Sequence, residues 1–198
     1  MVLFSGYLVF LAAFASLASG GVYIYAMLKG SAKPNRITWL MWTIAPLIAS
    51  AAEVSSKVGL AVIPIFINGF TPLLIFLSSF AVKKAYWKVR KSDYVFGLLS
   101  AAAILLWYIT KAPDIAILFS IAADGLAGMP TIIKARRNPK TESIWIYASG
   151  AFSAITAYTA INVWTFSAYA FPTYLLILNL IIIFTVKHGK ASKWLNSE

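Results

Sequence analysis

The chain has 198 residues, of which 61% are hydrophobic and 12% charged; its net charge is +11 and it contains no Cys. Soluble domains average roughly 45–50% apolar residues, so this composition predicts an integral membrane protein. Without Cys there are no disulfides or thiolate metal sites, and a lone His188 with 6 acidic residues leaves no nucleophile–base pair or metal cluster, so no enzyme and no cofactor are expected.

Charges cut the chain into seven apolar segments: 2–28, 37–54, 58–82, 94–110, 115–133, 144–163 and 166–186. Most approach the ~20 residues that cross a bilayer as helix, with the second and fourth short. All Lys and Arg except Lys57 and Lys111 fall in alternate loops: 1–2 (Lys29, Lys33, Arg36), 3–4 (Lys83, Lys84, Lys88, Arg90, Lys91), 5–6 (Lys134, Arg136, Arg137, Lys140) and the tail (Lys187, Lys190, Lys193). Seven spans put every one of these on one side, which by the positive-inside bias places the N-terminus outside and the C-terminus in the cytoplasm. Basic loops beside anionic lipid account for the net charge, so membrane lipid rather than nucleic acid is the expected partner.

The first segment has no Lys or Arg before it and exceeds the ~7–15-residue core of a signal peptide, so it is expected to stay on the protein. It also recurs: a shift of 105 residues lays Phe14 on Phe119, Ala18 on Ala123, Gly20 on Gly125, Lys29 on Lys134 and Pro34 on Pro139 without a gap. Beyond that point a gap is needed; one inserted residue sets Trp39 opposite Trp145. The expected plan is all-α, two parallel three-helix repeats joined by a linker helix: residues 1–92, then 93–112, then 113–198. An odd helix count makes directly joined copies point oppositely, and one extra helix restores parallel orientation. A parallel repeat in a membrane is a known way to build a solute path where the halves meet.

Along the second segment, Trp42 and Pro46 are candidates for solute contact and for a hinge, while Glu53 and Lys57 are spaced to pair on one helical face. In the third, Asn68 is a lone amide in Pro64-Ile65-Phe66-Ile67-Asn68-Gly69. An amide both donates and accepts, which suits polar solutes, although interhelical Asn bonds also act as glue. The fourth segment is bland Leu, Ala and Ile. In the fifth, Asp124 lies roughly 15 Å from either end at ~1.5 Å per residue, near the bilayer midplane. A carboxylate there costs about 2.5–3.5 kcal/mol on insertion scales, and Asp124 is therefore a candidate proton acceptor in a transport cycle or a hydrogen-bonded helix tie. Its repeat partner is Ser19. Gly125, Gly128 and Pro130 around it would let the helix bend or pack closely. Tyr158 in the sixth segment is a candidate for stacking on solute, and Asn179 interrupts the apolar run of the seventh.

Pro130-x-x-x-Lys134 leaving the first helix of the repeat, the short basic loop, and Lys140-Thr141-Glu142-Ser143 opening the next helix together resemble the PQ-loop group, which includes the SWEET and SemiSWEET sugar transporters. The resemblance implies three-helix bundles in a three, one, three plan with the N-terminus outside, and a facilitator or proton-coupled carrier of a small solute. It also implies that an Asn on the third helix of each repeat lines the solute site, here Asn68 and Asn179. Pro130-Thr131 stands where the group has Pro-Gln, and the chain has no Gln. The helix plan is also similar to that of nicotinamide riboside transporters, whose Trp-rich cage the pair Trp39 and Trp42 resembles. The expected function is thus a carrier for a sugar, vitamin, nucleoside or amino acid, with a non-transporting scaffold or receptor as the alternative; oligomeric state stays open.

Overall fold

The computed structural model describes residues 2–55, 62–82, 88–110, 113–159, 161, 164 and 166–189. They form seven α-helices: α1 (Val2–Leu28), α2 (Arg36–Ser55), α3 (Val62–Ser78), α4 (Lys91–Thr110), α5 (Pro113–Arg137), α6 (Ile144–Tyr158) and α7 (Phe166–His188). A 3-10 turn, Pro139–Thr141, joins α5 to α6, and no strand occurs among the described residues. Two stretches, Tyr7–Leu28 in α1 and Tyr169–His188 in α7, are long and apolar enough to cross a membrane, with mean hydropathy 1.8 and 2.0. Lys57 of the Glu53–Lys57 pair lies outside the described residues.

Helix ends explain where the charge-based boundaries shift. At α1, Gly30 adopts φ +78° while its N–H reaches the Met27 carbonyl at 2.9 Å and Ser31 N–H reaches Ala26 at 3.0 Å. This is a Schellman closure, which a left-handed glycine makes cheap. The repeat partner of Gly30 is Ala135, so α5 has no such stop and runs on to Arg137. Lys134, expected in a loop, is consequently a helical residue, and it is fully buried. Lys134, Arg136 and Arg137 in the last turn suit the negative end of the helix dipole. At the other end of the scale, α6 stops at Tyr158 instead of running towards 163, because Thr159 folds back with both its N–H and its hydroxyl on the Thr156 carbonyl, at 3.0 and 2.7 Å. Asn35 caps α2, its Oδ1 accepting from the N–H groups of Ile37 (3.1 Å) and Thr38 (3.4 Å). Asp93 in the first turn of α4 accepts from the Arg90 N–H at 3.0 Å, half of a capping box.

The packing is ordered by the duplication. α3 packs against both α1 and α2, and α7 against both α5 and α6; α1 meets α6 and α2 meets α5. Exchanging α1, α2 and α3 with α5, α6 and α7 reproduces these contacts, while α4 stands apart along α5 and α2. Small residues allow the close crossings: a Cβ on Gly20 would lie 2.5 Å from Thr71 Cγ2, and one on Gly69 would lie 3.0 Å from the Leu47 backbone nitrogen.

The interior combines an apolar core around Tyr23, Trp39, Ile75 and Ile182 with buried hydroxyls, while large apolar side chains also face outwards. Phe14, Leu98 and Phe184 are 71%, 72% and 64% exposed, whereas Ser16, Ser19, Thr43, Ser149 and Ser153 are buried. Large apolar side chains are exposed on α1, α3, α4, α5, α6 and α7, though on no described residue of α2, and so broad an apolar surface marks contact with something other than water.

Candidate functional site

A cavity of about 90 Å³ lies among the helices. At roughly 10–15 Å³ per water centre it has room for several waters. All six repeat helices line it and no described side chain of α4 does: Ser16 from α1, Trp42 and Pro46 from α2, Asn68 and Thr71 from α3, Asp124 from α5, Ser149 and Gly150 from α6, Phe171 and Asn179 from α7. It thus occupies the place where the two halves meet.

Asp124 sits near the middle of α5 and is 7% exposed. Its Oδ2 accepts a hydrogen bond from the Tyr174 hydroxyl at 2.9 Å, and its backbone carbonyl accepts one from Trp42 Nε1 at 3.2 Å. Its other oxygen, Oδ1, has no partner among the described residues. Of the two glycines on this face of α5, Gly128 leaves room that a Cβ would crowd, while Gly125 could carry one in ordinary contact. A Cβ on Gly125 would stand 3.4 Å from the Tyr174 hydroxyl, and one on Gly128 would stand 3.3 Å from the Trp42 ring. Gly128 permits the closer approach, and α5 passes through Gly125, Gly128 and Pro130 without interruption. Ser19, the repeat partner of Asp124, shares a 2.6 Å hydrogen bond with Ser149, so the α1–α6 and α5–α2 seams each carry a polar contact at the matching position.

The two amides differ in how they are held. Asn179 donates Nδ2 to the Leu175 carbonyl one turn back, at 2.8 Å, and its side chain occupies the space left by Gly150, whose Cβ would fall 2.7 Å from Oδ1. Asn68 makes no side-chain hydrogen bond among the described residues, and the hydroxyl of Thr71, buried one turn on, likewise has none. Unpaired polar groups beside a cavity are sites for solute or water, because leaving a buried donor or acceptor unmade costs about 1–3 kcal/mol. Pro46 lines the cavity from within α2. Tyr158 is not among the lining residues: its hydroxyl shares a 2.7 Å bond with Thr173 and its ring stacks on Trp164 at 5.9 Å. Tyr174 and Thr71 were not singled out from the sequence, where a Tyr or Thr within an apolar run carries no mark of its own.

Towards the end that bears the basic loops, Trp39 and Tyr147 of the cavity lining adjoin a polar cluster. Lys134 forms an ion pair with Glu142 and donates to the Lys33 carbonyl, with both side chains shielded from solvent. Glu142 Oε2 also accepts from the hydroxyls of Tyr147 at 2.8 Å and Tyr23 at 3.4 Å. Tyr23 packs on Trp39 at 5.1 Å, and Trp39 meets Trp42 edge-on at 5.3 Å. Lys33 N–H donates to the Thr141 carbonyl at 2.9 Å, joining the corresponding loops of the two repeats. Beside these, Asn35 Nδ2 donates to Asp93 at 3.1 Å, tying the first loop to α4. Lys29, the repeat partner of Lys134, is exposed above the Tyr25 ring at 5.6 Å. One copy of this lysine is solvated and the other holds the halves together.

Comparison with protein-family models, with characterised proteins and with solved structures finds no match to the chain.

Proposed function

We propose that the chain is an integral membrane carrier for a small polar solute, with seven spans in a SWEET-like three, one, three plan, its N-terminus outside and its basic loops in the cytoplasm. The observation that carries this reading is the cavity lined by α1, α2, α3, α5, α6 and α7 and by no described side chain of α4. A solute placed there touches both halves, so its binding is sensitive to how they are disposed. The apolar exterior supports the membrane assignment, since polar groups turned inwards and Phe or Leu turned outwards are what lipid demands.

The bundles rock about the cavity and expose it alternately to each side. Asn68 and Asn179 hydrogen-bond the solute, Asp124 binds or relays a proton, and Trp42 with Phe171 supplies apolar contact. The Lys134–Glu142 cluster is the closure on the cytoplasmic side. A scaffold would need neither the unpaired Asn68 amide nor a carboxylate at a cavity, and each of these costs stability that solute binding offsets.

Purified protein reconstituted into liposomes is expected to give saturable uptake of at least one labelled compound from a panel of sugars, nucleosides, amino acids, vitamins and amines, above the leak of protein-free liposomes. Uptake that stays linear with concentration and equal to the leak for every compound would overturn the carrier reading.

A further inference from the structure

Three buried acids have different partners, and the difference points to a ligand class. Glu142 is paired with Lys134, and Asp93 accepts from Asn35 and the Arg90 N–H. Asp124 has only the neutral phenol of Tyr174 on Oδ2, and its Oδ1 is unpartnered among the described residues. Among the described residues it is also the one acid that lines the cavity, and no described Lys, Arg or His lines that cavity with it. Among the described residues, the groups facing Asp124 from neighbouring elements include no cation: α7 presents Tyr174, α2 presents the Trp42 indole, and α4 presents Ser100, which is bound to the adjacent Ala123 carbonyl at 2.7 Å.

Resting on the carrier reading, we infer that the solute is a small organic amine whose ammonium group pairs with Asp124. The remaining lining is consistent with this chemistry. Trp39, Trp42, Tyr147 and Phe171 place aromatic rings in the lining, and a ring face attracts a cation. Asn179 Oδ1 and the free Asn68 amide accept N–H or O–H donors. Carboxylates and phosphates meet no compensating positive charge and are excluded from the site.

The pairing sets a proton balance. A lone carboxylate in an otherwise neutral cavity is neutralised by one proton or by one ammonium group, and not by both. Amine arriving as the ammonium ion at protonated Asp124 displaces that proton to bulk water, and the return step takes a proton from the opposite side. The cycle therefore exchanges one organic cation for one proton, with no net charge moved and no covalent bond made beyond the O–H of the acid.

The test is isothermal titration of the intact purified protein in detergent with two monoamines and their neutral isosteres: benzylamine against benzyl alcohol, and butylamine against 1-butanol. Titrations run below and above neutral pH, in two buffers of different ionisation enthalpy. At least one amine is expected to bind at least about tenfold more tightly than its isostere, a difference of about 1.4 kcal/mol, and to release protons at the lower pH. Asp124→Asn is expected to erase that preference, while Asp93→Asn, which alters a buried acid outside the cavity, retains it. Equal binding of amine and alcohol, no amine binding, or amine preference surviving in Asp124→Asn would overturn the inference. Saturable liposome uptake of a neutral compound, unaffected by either amine, would remove the cation assignment and leave the carrier standing. Asp124-dependent amine binding without flux would keep the site and remove the carrier.

Discussion

Glu142→Gln is expected to lower the unfolding free energy by about 3–5 kcal/mol, because it leaves the buried Lys134 ammonium without its counter-charge. Lys134 is fully buried, so water cannot take over the role of Glu142, and the Lys33 carbonyl alone does not neutralise it. For a chain of this size the loss corresponds to roughly 6–20 °C in the midpoint of thermal unfolding. The double variant Lys134→Met/Glu142→Gln is expected to recover most of that loss: no charge remains buried, and the carboxamide still accepts from the Tyr147 hydroxyl. Lys29→Met, at the matching place in the first repeat, is expected to change little, since Lys29 is solvated. Thermal melts of the four proteins in one detergent decide the matter. A Glu142→Gln protein as stable as the parent would show that the pair is not the closure described.

Gly150→Leu is expected to abolish saturable uptake while leaving the protein folded. The nearest atoms to a Cβ at Gly150 are the Oδ1, Cγ and Nδ2 of Asn179, at 2.7, 3.0 and 3.0 Å. These belong to the end of a side chain that can rotate away, and Gly150 borders the cavity, so the remaining leucine carbons have space to enter. The substitution thereby displaces the Asn179 amide and puts a bulky side chain into the cavity wall. At Gly69 the neighbour is the Leu47 backbone, so a methyl group must push α2 from α3. Uptake and melting temperature measured together separate the cases: Gly150→Leu loses flux with a near-parental melt, and Gly69→Ala loses stability first. Undiminished uptake by Gly150→Leu would place the solute path elsewhere.

The seven helices were legible because apolar runs bounded by charges have one dominant reading at this composition. The repeat was legible where it is gapless, from Phe14 to Pro34 against Phe119 to Pro139. It faded later because the third helices are matched either by their basic ends or by Asn68 and Asn179. The cavity brings the two amides together, a three-dimensional fact that no alignment of two apolar helices supplies. Lys134 was hidden for a different reason. A lysine beside Arg136 and Arg137 has the composition of a solvated loop, and only the absence of a glycine at Ala135 hints that the helix continues. Glu142 reaches it because the 3-10 turn at Pro139–Thr141 folds the chain back. Tyr158 shows the reverse: an aromatic in an apolar helix is too common to mark a site, and its ring is committed to Trp164.

Since the chain has no Cys, a single introduced thiol reports alone. The decisive measurement is the labelling of Asn68→Cys by a membrane-impermeant maleimide, applied to sealed vesicles from the side of the basic loops and, separately, from the opposite side. Alternating access predicts that this cavity position reacts from the side opposite the basic loops while Lys134 and Glu142 are paired. In Asn68→Cys/Glu142→Gln, reaction from the basic side is expected to rise at the expense of the other. Labelling from neither face, or from the same face with unchanged rates in both proteins, would contradict a cavity that opens by turns.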